Sequence, residues 1–351
     1  MKRFTIKFLA ATVLFFIPAI VFRFQVADKT SGDIGELGMI PFGKEKDRLG
    51  VSWDRREMVP EANVVNVYNP DELCRYSTVT IGDSFSQFGR NGYQYSLSSR
   101  LGSTVANFIC YPSFNVLKNY LFLLNNGFFT DQQTVILECV ERSLIGRFSR
   151  LDSLESYRDL PKRGVSASSH EEASSDEDVS FNDEKTKKPF LNSLFSWIRL
   201  TVGYRNPIQR FSLTKDCFSH NRFSHTLFVY NSKKARDGDL LWEGIREEDF
   251  QKAACNMKKM IEYSEKKGIH LIILIACDKY DAYEPWIQDA HKVNPTLDHV
   301  PDDRRIYVSR ECLRDAIGQG TQDVYKVNDT HWSVVGADIV GNSLYEWMMT
   351  R

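Results

Sequence analysis

The sequence predicts an α/β fold in which a parallel sheet carries helices on its faces. Three features support this. Apolar, β-branched runs recur at 77–82, 104–110, 134–140 and 270–276. The last of them, HLIILIA, hardly alternates, which is the pattern of a strand buried on both faces. Helical spacing fills the gaps: Val116, Tyr120, Leu123 and Leu124 fall on one face of 115–124, and Phe250, Ala254, Met257 and Ile261 on one face of 247–267, which Gly268 ends. Strands that alternate with helices form βαβ units, whose strands run parallel. At 351 residues, 42% apolar and 13% aromatic, the chain can bury a large core.

The elements divide the chain into five segments. Residues 1–25 read as a signal anchor: Lys2, Arg3 and Lys7 precede an uncharged apolar run over 8–22, and Arg23 follows. The run is short for a span of ~20 residues, but Phe24 and snorkelling by Lys7 and Arg23 extend it. No small-x-small cleavage site follows, so the expectation is an uncleaved transmembrane segment with the bulk of the chain extracytoplasmic. In a Gram-negative cell that is the periplasmic side of the inner membrane; a cleaved signal peptide is the alternative. Residues 26–75 read as a stem and 76–150 as the first part of the α/β domain. Residues 151–225 read as an insertion, partly disordered because 152–189 is rich in Ser, Asp, Glu and Lys and has little to bury. Aromatics return at Phe190, Phe195, Trp197, Tyr204 and Phe211, as a lid, a membrane-facing element or a patch on the core. Residues 226–351 complete the domain, with a last helix over 336–349.

Several function classes are disfavoured. A formal net charge of −1 with scattered basic residues gives no nucleic-acid footprint. The seven cysteines form no CxxC pair, and several lie in apolar runs, so they read as buried thiols. His220, His225, His270, His291 and His299 have no metal-ligand spacing, and the acidic run at 171–184 lacks a calcium-loop pattern. Neither a metal nor another cofactor is expected.

Two motifs carry chemistry. Gly82-Asp83-Ser84 follows a strand, and Asp329-Thr330-His331-Trp332 precedes the last helix. A serine hydroxyl becomes a useful nucleophile when an imidazole takes its proton. A turn after a parallel strand would expose Ser84 at the carboxyl edge of the sheet, with a helix N-terminus behind it to stabilise an oxyanion. Asp329 and His331 stand at i and i+2, on one side of an extended segment. The carboxylate can therefore bind Nδ1 and leave Nε2 for Ser84. Read singly, Ser84 is also a good helix cap and Arg142 an i,i+4 ion-pair partner of Glu138.

Together these motifs resemble the SGNH (GDSL-type) hydrolase superfamily. The Asp-x-His-Trp form is most similar to its alginate-acetylating (AlgJ/AlgX-like) polysaccharide O-acetyltransferase branch and to the DHHW proteins of bacterial envelopes. Glu138-Cys-Val-Glu141-Arg142 is similar to the Glu-x-x-Glu-Arg stretch of that branch. The resemblance spans about 76–145 and 265–351. It implies a three-layer SGNH-like sheet, with Ser84 as nucleophile, His331 as base, Asp329 as its orienter and Arg142 near the site. Ser113 or Asn115 would substitute for the oxyanion glycine and asparagine blocks, which are not evident. It further implies an O-acyltransferase, with acetyl as the group transferred, acting on a cell-envelope or exported polysaccharide. The acyl donor would come from a multi-span membrane acyltransferase. The same triad leaves open an extracytoplasmic carbohydrate esterase or deacetylase, and the missing oxyanion blocks leave open a non-catalytic glycan-binding or scaffold protein. Two departures stand out: the usual Asp position, three before His, is Asn328, and the Asp-x-His follows the serine instead of preceding it.

Overall fold

The computed structural model describes residues 63–86, 92–111, 115–151, 153–159, 208–219, 223–232, 237–238, 242–289, 291–327 and 329–350. The expected anchor 1–25, most of the stem and residues 160–207 of the insertion lie outside them. No helix among the described residues is long and apolar enough to cross a membrane.

Six parallel strands form the central sheet in the order β1-β3-β2-β4-β8-β9. They are β1 (Val64–Val67), β2 (Thr78–Ile81), β3 (Val105–Phe108), β4 (Thr134–Val140), β8 (His270–Ala276) and β9 (Ile306–Val308). The two longest, β4 and β8, are central and pair in register from Thr134↔His270 to Val140↔Ala276. Val135, Ile136, Leu137 and Cys139 of β4 are fully buried, as are Ile273, Leu274, Ile275 and Ala276 of β8. Helices cover both faces, which explains the unbroken apolar runs.

The chain steps from β2 to its neighbour β3, then crosses back over β2 to reach β4. Right-handed crossovers place the connecting helices of these two steps on opposite faces. The first is α1 (Gln94–Leu101) and the second α2 (Val116–Asn125). The helices α3 (Glu141–Phe148) and α4 (Glu247–Lys266) belong with α2, and the Tyr120 hydroxyl donates to Ser264 Oγ at 2.6 Å to tie α2 to α4. After the short α5 (Lys279–Tyr283) come α6 (Arg310–Gly318) and α7 (Val334–Met349): α7 packs on α1, and α6 packs on α7 and α5. The reversal of direction puts a topological switch point at the carboxyl end of β2, where open α/β sheets form their ligand crevice.

Two boundaries and one helix face differ from the sequence reading. The stem expected over 26–75 supplies β1, because Val64–Val67 finds an unoccupied sheet edge beside β3. The insertion expected to end at 225 is cut through a hairpin: β5 (Ile208–Ser212) pairs antiparallel with β6 (Thr226–Ser232), which also pairs β7 (Asp237–Gly238). This small sheet packs on α5 through Phe211–Tyr280 and Phe218–Tyr283 ring contacts. On α4, Ala253 rather than Ala254 is buried with Phe250, Met257 and Ile261, since the inward stripe also takes in Met260 and Ser264.

The close approach of α7 to α1 depends on Gly341. A Cβ there would overlap the Tyr93 carbonyl oxygen and lie 2.9 Å from Ser96 Cβ. In a free helix Gly→Ala would stabilise by up to about 1 kcal/mol. Here Gly341→Ala is expected to destabilise by about 1–3 kcal/mol through overpacking, read as a lower urea midpoint. A raised midpoint would show that the two helices separate freely.

Candidate active site

Strand β2 ends at Ile81, and a tight turn carries Asp83, Ser84, Phe85 and Ser86 across the switch point. Gly82 is required by space: a Cβ would overlap Ser86 Oγ and Glu138 Oε2. Every other side chain of the turn is tied inward. Asp83 Oδ2 accepts from the Val140 amide at 2.8 Å and from Arg147 Nη1 at 2.6 Å. Ser86 donates to Glu138 Oε2 at 2.9 Å, and its carbonyl accepts from Gln94 Nε2 at 2.8 Å and Asn107 Nδ2 at 3.1 Å. Phe85 is buried against the rings of His331 and Trp332, with centroids 4.9 and 4.7 Å away. Asp83 and Ser84 are the partly exposed members of the turn, and of these Asp83 is tied inward while the Ser84 hydroxyl meets His331.

His331 comes from a loop between α6 and α7. Tyr325 and Trp332 close it as an antiparallel bridge, and the Lys326 amide donates to the His331 carbonyl at 3.3 Å. Trp332 Nε1 donates to the Tyr325 hydroxyl at 3.0 Å, which donates in turn to the Cys277 carbonyl at 2.5 Å. Inside this loop Asp329 Oδ1 accepts from the His331 amide at 3.0 Å and lies 2.5 Å from Nδ1. Nε2 lies 2.6 Å from Ser84 Oγ. With the Nδ1 proton held by Asp329, Nε2 is the acceptor for the serine hydroxyl. Ser333 then caps α7, accepting from Val335 and Gly336 amides.

Burial by itself would raise the Asp329 carboxyl. The charge and hydrogen bonds of His331, with Lys326 Nζ 3.8 Å away, outweigh it and hold the group well below the usual carboxylate range. Asp329 is therefore an anion across the physiological range. Glu138, behind the turn, is the opposite case. Burial first, then the charge of Asp83, push its carboxyl well up, and Oε1 has no hydrogen-bond partner among the described residues.

Arg142 reaches the site from α3, but its partner is Asp278, not Glu138. The expected i,i+4 pair does not form because Glu138 lies in β4 and points behind the turn, whereas Arg142 lies on the helix that follows. The guanidinium also donates to Thr330 Oγ1 at 3.4 Å and stands 5.9 Å from the Phe85 ring centre. It thus braces the residue between Asp329 and His331. Burial pushes Asp278 up to about 6 against the opposing pull of Arg142.

The oxyanion candidates fare differently. Asn115 Oδ1 accepts from the Lys118 amide at 3.0 Å as the N-cap of α2, so the structure gives it a capping role. The neighbouring Asn119 braces the loop, accepting from the Tyr111 amide at 2.9 Å. Ser113 and Asn328 lie outside the described residues, as do 87–91. Helix α1 starts at Gln94, so its N-terminus is not immediately behind Ser84 as the sequence suggested.

Arg147, Lys326 and a buried Lys279 were not singled out from sequence as parts of the site; Glu138 was, but only within the Glu-x-x-Glu-Arg-like stretch and as a partner of Arg142. The partners of Arg147 and Lys279 lie far away in sequence, whereas Lys326 stands three residues before its partner Asp329, just outside the Asp-x-His-Trp motif. The buried Glu141, Cys277 and Asp281 bring ligand-type atoms within 4.8 Å of one another. Both Glu141 oxygens already accept hydrogen bonds, from the Asp278 amide and Asn294 Nδ2, and Asp281 is paired with Arg314. All seven cysteines are free thiols.

Compared with known proteins, the chain matches no family model, and no curated protein or solved structure matches it at a significant level.

The Glu138 environment has a pH signature. Its folded value lies above its ordinary value of 4.5, so its contribution to stability is fully present below about 4.5 and is lost as pH rises through the folded value. Glu138→Gln stays neutral throughout. Urea-unfolding free energies of wild type are expected to fall relative to Glu138→Gln as pH is raised from 4.5. A difference that is constant with pH would show that Glu138 ionises as an exposed carboxyl does.

Proposed function

We propose that this chain is an SGNH-like O-acyltransferase, with acetyl as the group transferred, that modifies a cell-envelope or exported polysaccharide through a seryl ester on Ser84. The reading rests on one observation above all. Ser84, His331 and Asp329 form a continuous hydrogen-bonded chain at the carboxyl edge of a parallel sheet, joining residues 247 apart in sequence. The order β3-β2-β4-β8-β9, with β1 added at an edge, supports the SGNH-like part of it.

In the first half-reaction Ser84 Oγ attacks the donor's acyl carbonyl while its proton passes to His331 Nε2. Collapse of the tetrahedral intermediate breaks the bond to the donor group, which leaves with that proton. In the second half-reaction a sugar hydroxyl gives its proton to Nε2 and attacks the seryl ester. Ser84 then takes the proton back as the acylated sugar leaves. Asp329 remains an anion throughout and offsets the imidazolium formed at each step.

The N-terminal anchor 1–25, with its apolar run over 8–22, would tether the site beside the membrane, extracytoplasmically. There a multi-span acyltransferase delivers the acyl group, and the tether raises the effective concentration of each for the other. With water in place of the sugar, the same chemistry is an esterase.

The test uses the full chain and an activated acetyl ester. Mass spectrometry is expected to find acetyl on the peptide bearing Ser84, and Ser84→Ala should carry none. His331→Ala should slow acylation by about 10⁴-fold or more. Discharge of the adduct should require added polysaccharide. Absence of an adduct would sink both the transferase and the esterase, and discharge in buffer alone at the same rate would favour the esterase.

A further inference from the structure

Lys279, the first residue of α5, is fully buried. Burying an ammonium is costly unless all of its hydrogens are satisfied, and an ammonium has three donors and no acceptor. The three carbonyls it meets belong to one stretch of chain: Lys326 at 2.7 Å, Val327 at 2.9 Å and Asp329 at 3.2 Å. This is the loop between Tyr325 and Trp332 that carries Asp329 and His331.

Loop carbonyls of this kind need donors when they are turned inward. Drawing three of them onto one cation fixes which way the loop faces and leaves the Asp329 and His331 side chains turned towards Ser84. On another side the Phe218 ring centre lies 5.4 Å from Nζ, a cation–π distance. Phe218 comes from the segment preceding β6, and that segment is fastened to the base of the same loop. The Asp323 amide donates to the Cys217 carbonyl at 2.9 Å, and the Ser219 amide donates to Asp323 Oδ1 at 3.0 Å. The preceding residue, Asp278, pairs with Arg142, which reaches Thr330. Two consecutive residues at the carboxyl end of β8 therefore grip the base loop, one through its backbone and one through a side chain.

We propose that Lys279 is a positioning residue for the catalytic base, its buried ammonium gathering the carbonyls of 326, 327 and 329 so that the Asp329–His331 pair meets Ser84. This rests on the acyl-Ser84 reading. Lys279→Met keeps the approximate shape and removes every donor, whereas Lys279→Gln keeps two N–H donors without the charge. Both are made in the full chain and measured for Ser84 acylation by an activated acetyl ester. Far-downfield proton NMR of the His331 Nδ1 hydrogen and circular dichroism are recorded alongside.

In folded Lys279→Met the acylation rate constant should fall about a hundredfold, the scale of an ångström-level misplacement. The half-saturating ester concentration should not change. The downfield resonance, present in wild type and in Ser84→Ala, should be lost in Lys279→Met and recovered in part in Lys279→Gln, with a parallel recovery of rate. Wild-type acylation with an intact resonance in both variants would overturn the assignment. Failure of both variants to fold would also overturn it, by making Lys279 a residue of the fold and not of the site. If wild type itself forms no adduct, the acyl-enzyme reading falls instead, a result distinct from either of these.

Discussion

All six strands of the sheet run the same way, so their carboxyl ends reach one edge together, and the chain must bury charge there. Asp83, Glu138, Glu141, Asp278, Lys279 and Asp281 all lie at that edge, mostly out of water. A buried charge without a partner is among the most destabilising features a fold can carry. Arg147 answers Asp83, Arg142 answers Asp278, Arg314 answers Asp281, and loop carbonyls answer Lys279. Among the described residues Glu138 has no cationic partner of this kind, and burial with the charge of Asp83 pushes its carboxyl well up. Because each pairing joins separate elements, satisfying the edge electrostatically also fixes where its turns and loops sit. The geometry of the candidate site follows from this.

Ser84 and His331 are held in different ways. The Ser84 turn is pinned by its neighbours: Gly82 admits the close approach, Asp83 and Ser86 are bonded inward, and Phe85 is packed under His331. Ser84 itself needs no restraint beyond its hydrogen bond to the imidazole. The base loop has little regular structure of its own and is held by its surroundings through Arg142, Lys279 and the Tyr325–Trp332 bridge. Preorganisation of this kind lets a pair of hydrogen bonds act without reorganising during the reaction.

The hairpin inserted between α3 and α4 belongs to the same mechanics. Its aromatic residues pack on α5, and Cys217 and Ser219 hold the strand-like entry to the base loop. The aromatics of this stretch allowed a patch on the core, as Phe211 proves to be. Its sequence, poor in helical or alternating pattern over 208–219, did not mark the hold on the base loop, because the partners of Phe218 and Cys217 lie far ahead in the chain and are chosen by packing.

Local pattern determined the class of fold and the two motifs. Continuous apolar strands and amphipathic helices imply a buried parallel sheet, and Gly-Asp-Ser and Asp-x-His-Trp carry reactive groups whose intrinsic chemistry is legible without coordinates. Short-range geometry also allowed Asp329 to be paired with His331, since two residues of separation leave few arrangements. The tertiary structure decided the rest: that Ser84 and His331 meet, that Arg142 serves Thr330 and Asp278 rather than Glu138, that Asn115 caps a helix, and that Lys279 lies beneath the base loop. Each of these is a choice among partners far apart in sequence. Such choices are made by the packing of elements and by the need to satisfy every buried charge, and neither leaves a periodic trace in the chain.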